Sequence, residues 1–532
     1  MIYCLIYLNR VNKEVFLNLS DFDIVKPLLI KLENKNLVGN KKQILNHIYY
    51  FSNEESYIID GDQTLLTDGY DLKRRLLFFL SLNPHFYSIK FFRDYNKLIK
   101  FMKRIHFFYL LLNKSIILYR LLLESIKIPH FTQGSWDILI KNMEYCINSR
   151  KYINFIDFYT FDDKGTIEYD DAIGFKRLKN GFEIYVAVSD LSEVWNIHMD
   201  KSVLEFPQTL YSVDSKYYML PSNYIEFLAL KKGSKRPVFL FNFCLTKELE
   251  IKDYFFEPVV ISVKKNLSYR QGEKFIRENN FIQEFAINLL RKRVSNGAIY
   301  FDEYKGMKFV IQELMILVNH ICAKLLSRNN IPFISRVLEI PPELQGYRGK
   351  IYDLKKDTCK ILKYRILNLL GNARYDIGNS GHDILGLDKY THITSPIRRY
   401  IDVINQKQLI SYYYNFDEFF TYSELRDILK IIGPVLQKYN CLIKKYNKKQ
   451  KIIKFMNELN NSNNNNQVFL FYQNGENIFL ILEKIDEEVK VGDPKILKNK
   501  LISKNRIIFS KDEILQILYE EISHYKCKEG ML

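Results

Sequence analysis

Apolar residues return every three or four positions from Ile311 to Leu326, and that period predicts a helix. Gly181-Phe-Glu-Ile-Tyr-Val-Ala-Val-Ser-Asp is patterned differently and reads as a strand that ends on an acid. Helical spacing also runs through Leu76–Leu82 and Phe101–Leu123 until Pro129 breaks it, so residues 71–150 read as mostly helical. Residues 1–70 read as short strands and turns, such as Glu14-Val-Phe-Leu and Tyr57-Ile-Ile-Asp. Near the other end, Val468-Phe-Leu-Phe-Tyr and Ile478-Phe-Leu-Ile-Leu flank Gly475 and predict a hairpin. The apolar stretch Phe107 to Ile126 is interrupted by Asn113, Lys114, Arg120 and Glu124, so a buried or amphipathic helix is expected there, not a membrane span.

A chain of 532 residues is too long for one ordinary core, and the pattern divides it. Residues 1–150 form an N-terminal region, RNA-binding or structural in role. Residues 151–456 mix strands with helices. The run Asn457-Glu-Leu-Asn-Asn-Ser-Asn-Asn-Asn-Asn-Gln is too polar to bury itself and reads as a linker over 457–467. Residues 468–532 read as a small β-rich domain with a helical tail, either an OB-like barrel that grips single-stranded nucleic acid or a structural appendix. The fold class expected is α+β.

Composition narrows the partners. With 78 Lys+Arg against 61 Asp+Glu the formal charge is +17, which favours a polyanion. The lean towards Ile, Lys, Asn, Tyr and Phe reflects AT-rich codons and points to an organellar or AT-rich bacterial genome. Cysteines stand at 4, 146, 244, 322, 359, 441 and 527, an odd number with no Cys-x-x-Cys pair. A zinc module or disulfide framework is not expected, and a reducing intracellular compartment is. The opening Met1-Ile-Tyr-Cys-Leu-Ile-Tyr-Leu lacks the basic start of a signal peptide and the Arg- and Ser-rich character of a transit peptide.

Two segments carry chemistry. Thr160-Phe-Asp-Asp-Lys-Gly-Thr-Ile-Glu-Tyr-Asp-Asp-Ala sets Asp162, Asp163, Glu168, Asp170 and Asp171 within ten residues. Carboxylates so dense repel unless solvent or a cation offsets them, and magnesium takes one or two carboxylates plus phosphate and water. A solvated acidic turn is the plainer reading. In Tyr390-Thr-His-Ile-Thr-Ser-Pro-Ile-Arg-Arg-Tyr-Ile-Asp, Ser395 suits an N-cap and Pro396 a first helical position. Such a helix start would aim N–H groups and Arg398 at an anion; an ordinary capped helix with a surface arginine pair is the plainer reading of those residues alone.

Taken together, the order Asp-x5-acid-x-Asp-Asp-Ala and Tyr-x-His-x-Thr-Ser-Pro-Ile-Arg-Arg-Tyr-x-Asp resembles the ribonuclease II (RNB) catalytic domain. Val186-Ala-Val-Ser-Asp-Leu-Ser, Thr209-Leu-Tyr, Met219-Leu-Pro, Lys235-Arg-Pro, Asn266-Leu-Ser-Tyr and Glu313-Leu-Met-Ile-Leu-Val-Asn fall between them in the same order. The resemblance implies that 151–456 is a catalytic domain of a hydrolytic, processive 3′→5′ exoribonuclease, monomeric, acting on single-stranded RNA with two magnesium ions, for which manganese can substitute. It implies metal-site roles for Asp162, Glu168, Asp170 and Asp171, with Asp170 essential to cleavage and Arg398 neutralising the scissile phosphate. Tyr211 and Phe301 resemble the aromatic plates that clamp terminal bases, and Tyr269 a residue that tells ribose from deoxyribose. Gln312, Glu313 and Arg399 are further positions implied to contact RNA. The helical half of the N-terminal region is similar to the leader of shorter cyanobacterial and plastid members, which suits a plastid stroma or bacterial cytoplasm.

Departures from the pattern set a second reading beside the first. Glu168 stands where Asp is usual, Gln312 where Glu is, and Lys444 replaces a glutamate on a late helix. An RNA-binding protein with a lapsed active site would tolerate all three. Gln406-Lys407, in place of His-Arg, is expected to matter little.

Overall fold

The computed structural model describes residues 48–51, 56–59 and 131–524, apart from 303, 379–380, 463–465, 475–476, 493–501 and 504. The helices read at Leu76–Leu82, Phe101–Leu123 and Phe107–Ile126 lie outside the described residues, as does Glu14-Val-Phe-Leu. Ser56–Ile59 pairs antiparallel with Ile48–Phe51, consistent with the strand read at Tyr57. Two compact units emerge: residues 126–447, and residues 1–125 with 448–532.

At the heart of the first unit, five strands close a barrel: β1 (Tyr152–Asp162), β2 (Asp171–Leu178), β3 (Gly181–Ser189), β4 (Lys235–Leu245) and β5 (Ile251–Ser268). Neighbours run antiparallel except β1 and β5, which close the barrel in parallel. Side chains on a strand point alternately to its two faces. Tyr185, Ala187, Val238 and Leu240 accordingly meet Ile153, Phe158, Ala172, Val259 and Ile261 in one cluster. Ile184, Val186, Val188, Phe239, Phe241 and Phe243 turn the other way, towards helices. β3 is the strand expected to end on an acid.

Those helices are α2 (Tyr269–Glu278), α3 (Asn280–Ser295) and α4 (Gly306–Arg328). Ser268 starts α2 with a capping box: its side chain accepts from the Gln271 N–H, and the Gln271 side chain accepts from the Ser268 N–H. At Gly272 a Cβ would come within 2.7 Å of Met307, so the missing side chain lets α2 and α4 approach closely. α4 extends the helix read at Ile311–Leu326 by a turn at its start. It is apolar and long enough to cross a membrane by composition, but two thirds of that stretch is buried within this protein. A third cluster joins α1 (Gln133–Ser149) to Leu191–Ala229, α5 (Tyr400–Tyr413) and the start of α6 (Tyr422–Asn460).

Polar side chains do what apolar packing cannot here. Gln406 on α5 is fully buried; its Nε2 donates to Ser189 O and Ile393 O at 2.8 and 2.9 Å, and its Oε1 accepts from Leu191 N at 3.0 Å. Asn405 likewise bonds Ile334, Thr391 and His392, and Asn319 bonds Ile393 and Thr394. Gln406, read from the sequence only as a replacement, thus stitches the end of β3 to the segment before α5. Gln406→Leu strands three buried backbone groups, at about 1–3 kcal/mol for each unsatisfied group. Its urea midpoint should fall well below that of wild type, by about 3 kcal/mol or more in stability; an unchanged midpoint would show that other groups serve this backbone.

The second unit holds β6 (Asn466–Asn474), β7 (Asn477–Leu482), β8 (Glu487–Val491), β9 (Ile502–Ser503) and β10 (Arg506–Ser510), with α7 (Lys511–His524). β6 and β7 pair antiparallel, as the hairpin reading required. The strand order is β8-β7-β6-β10-β9, and among the described residues no pairing joins β8 to β9 to close the OB-like barrel expected here. Both ends of the polar run at 457–467 are regular structure: α6 continues through Asn460 and β6 begins at Asn466.

Candidate active site

Three barrel strands end at one rim. β1 finishes on Asp162, β2 begins on Asp171, and Asp162 lies opposite Ser268 at the end of β5. The loop between β1 and β2 carries Glu168 and Asp170, and Ser189 N donates to Asp170 O at 2.7 Å, fixing the loop to the end of β3. Tyr269, the first residue of α2, stands at the same rim, where burial and then the charges of Asp171 and Asp162 raise its phenol. Asp163 is exposed.

The second segment meets this rim across 227 residues: Ile397 N donates to Asp170 Oδ1 at 2.9 Å. Arg398 Nε stands 3.4 Å from Asp170 Oδ2, and Arg398 Nη2 donates to Ser395 Oγ at 2.9 Å. The helix start expected at Ser395 and Pro396 is corrected. Residues 395–398 form a tight turn, and α5 begins at Tyr400 with Arg399 as its cap. The cause is tertiary: Ser395 N donates to Asp402 Oδ1, while Thr209 N and Tyr400 N donate to Arg398 O and Pro207 O, holding 398–400 extended.

One arginine faces four carboxylates here. Burial pushes Asp170 up to about 8 against the opposing pull of Arg398. Burial and then the charges of Asp171 and Asp170 raise Asp162, and burial raises Asp171. Asp170 is 3% exposed, and its Oδ2 has no hydrogen-bond partner. Among the described residues no three acids, histidines or cysteines are gathered as a ready cage. Magnesium does not require one, since it binds by one or two carboxylates plus water and phosphate. An orphaned buried oxygen in an excess of negative charge fits such an ion. Glu168, 7% exposed, sits differently: Oε1 accepts from Thr209 Oγ1 at 2.7 Å and Oε2 from the Tyr211 hydroxyl at 2.6 Å. Burial raises this carboxyl, and those two hydroxyls oppose the rise.

The remaining candidates scatter. Tyr211 is 40% exposed beside the acids. Phe301 stacks on Tyr352 at 4.8 Å and belongs to a small cluster with Ile299, Leu344 and Ile366; no described contact joins it to the rim. Gln312 and Lys444 are exposed on α4 and α6. Arg399 Nη2 donates to Asp402 Oδ1 at 2.8 Å, while its Nε is buried without a partner. Glu313 is 1% exposed, not open on its helix: Arg293 forks onto both its oxygens at 3.0 and 2.5 Å and so holds α3 to α4. Asn405 and Asn447 escaped the reading of the sequence, in which Thr209 and Asn319 served only as landmarks of order and Gln406 only as a departure. Asn405 and Gln406 had left one signal, adjacent amides inside an otherwise apolar helix.

A family model for the RNB domain matches residues 150–415. The chain is 26% identical over 339 residues to Ribonuclease R of Thermotoga maritima, covering 52% of this chain and 48% of that protein. It spans about half the length of the curated relatives it matches. Its fold is similar to Mycoplasma genitalium RNase R in complex with ribose-methylated single-stranded RNA, with a TM-score of 0.55 and 18% identity over 71% of this chain and 70% of that one. It is similar also to yeast Ssd1, a pseudonuclease, with a TM-score of 0.55 and 16% identity over 69% of this chain and 52% of that one.

Proposed function

This chain belongs to the RNB domain family, and we propose from that membership that it is a hydrolytic, processive 3′→5′ exoribonuclease. It acts on single-stranded RNA and releases nucleoside 5′-monophosphates. The observation that carries the reading is the meeting of Asp170 with Ile397 and Arg398, which seats a buried acid and a half-exposed guanidinium side by side.

Asp162 and Asp171, with the free oxygen of Asp170, would hold the magnesium, two ions in all. When bound, the metal supplies an activated water and steadies the leaving oxygen. Arg398 supplies fixed positive charge where a phosphate gains negative charge, and Ser395 keeps its guanidinium aimed. The exposed part of the Tyr211 ring gives a base a surface to stack on, independent of sequence. Tyr269 places a hydroxyl at the rim within reach of the sugar. The chain works as a monomer in a reducing compartment, plastid stroma or bacterial cytoplasm.

An RNA-binding protein with a lapsed active site is the second reading, favoured by the lack of a ready three-ligand cage among the described residues and by the pseudonuclease among its structural neighbours. One assay separates them. With 5′-labelled poly(A) and magnesium, the substrate should shorten to a short limit product while mononucleotides accumulate, manganese should substitute, and EDTA should stop the reaction. Bound but intact RNA would establish the second reading instead.

A further inference from the structure

Glu168 does not turn its carboxylate to the other acids. Both oxygens accept from hydroxyls of the segment 209–211, and the Thr209 Oγ1 that donates to it also accepts from Met219 N at 3.1 Å. That segment lies against the arginine turn through Thr209 N and the Gln208–Arg399 bridge. It then enters a short hairpin, Leu210–Tyr211 with Lys216–Tyr217. From its other side α6 grips the same hairpin. Asn447 Nδ2 donates to Tyr211 O and its Oδ1 accepts from Val213 N, both at 2.9 Å, while the Tyr446 hydroxyl donates to Asp214 Oδ2 at 2.6 Å. Tyr211 is thus fixed by its hydroxyl and by its backbone, and its ring remains 40% exposed.

We infer that Glu168 is a positioning residue and not a metal ligand: it holds the Tyr211 ring, together with Asn447, as a fixed plate for the last base of a bound RNA. A ring on one rotatable side chain loses rotamer freedom when a base stacks on it; a ring already tied at both ends does not. A buried carboxylate committed to two short hydroxyl bonds would have to release them to turn to a cation. The plate therefore sets how short an RNA end the site still holds. The inference rests on the acidic rim being where that RNA end is bound.

The test uses the full chain with Glu168→Gln, Tyr211→Phe, Asn447→Ala and the Glu168→Gln/Tyr211→Phe double variant. Binding of a fluorescent adenosine decamer is measured in EDTA, manganese binding is measured without RNA by the paramagnetic resonance of the free ion, and limit products are resolved in magnesium. Tyr211→Phe keeps the ring and removes only the hydroxyl, so it tests positioning even where another variant folds poorly. Each single variant should bind the decamer roughly three- to tenfold more weakly, a part of what a full base stack contributes, and stop at longer products. The double variant should be no worse than its parents, because both break one bond. Manganese affinity should stay within about threefold of wild type, the scale of one lost nearby charge. A tenfold loss of manganese in Glu168→Gln, compounded losses in the double variant, or variants identical to wild type in binding and ladder would each overturn the inference. A wild-type chain that binds the decamer without cutting it would instead overturn the exonuclease reading and leave this one standing.

Discussion

Replacing Asp170 by Asn should stop cleavage and spare RNA binding. The side chains have nearly the same shape, so Oδ1 still accepts from Ile397 N and the turn stays in place. The other oxygen changes most. It is buried, has no hydrogen-bond partner, and lies 3.4 Å from Arg398 Nε. An amide there presents a second donor to Arg398 and cannot ligate a cation. Loss of a group that acts as part of one catalytic unit commonly costs on the order of 10⁴ in rate. Affinity for an RNA decamer should stay within a few-fold, since binding comes from the rest of the surface. The variant should melt no lower than wild type without metal, because burial raises this acid and its charge opposes folding. Magnesium-dependent turnover near the wild-type rate in single-turnover decay would remove Asp170 from the chemistry.

Arg398→Ala should cost about 10²–10³ in single-turnover rate, the usual loss for one preorganised group aimed at developing charge. Binding in calcium or EDTA should fall much less, with the salt dependence reduced by about one phosphate contact. The turn explains why the two quantities separate. Ser395 and Asp170 hold the guanidinium before substrate arrives, so it is set to meet charge that grows during reaction. Lysine should rescue poorly, because an ammonium cannot donate to Ser395 and keep a planar face for phosphate at once. If rate and affinity fall by the same small factor, Arg398 is a binding residue and no more.

Much of this site could be read from residue order. Asp162 and Asp171 are found by spacing because a loop joins two adjacent strands, and strand ends at one rim converge whatever lies between. The strand at 181–189 and the helix around 311–326 were legible for a related reason: each buries one kind of surface along its whole length. The misreadings share a cause as well. Ser395-Pro396 has every local mark of a helix start, but the Ser395 N–H is taken by Asp402 and residues 398–400 pair with 207–209, which lie far away in sequence. Glu313 looked available on its helix until Arg293 was seen to cover it. The asparagine-rich run is polar enough for a linker, yet α6 carries helix into it as far as Asn460. Local pattern speaks for elements; it is silent on which distant partner claims a polar group.

The join between Asp170 and Ile397 also bears on how the protein comes into being. The ribosome makes the acidic rim first and the turn that completes it 227 residues later. At about 5–20 residues per second, that interval lasts roughly ten to forty-five seconds. Throughout it the emerging polypeptide carries the carboxylates without the arginine or the N–H that hold Asp170 ready. On the exonuclease reading proposed above, the chain is born next to messenger RNA with its site incomplete, and completion waits on contacts of very long sequence separation, which are among the last to form in folding. Distance along the chain acts here as a delay, separating the making of the protein from the use of its site.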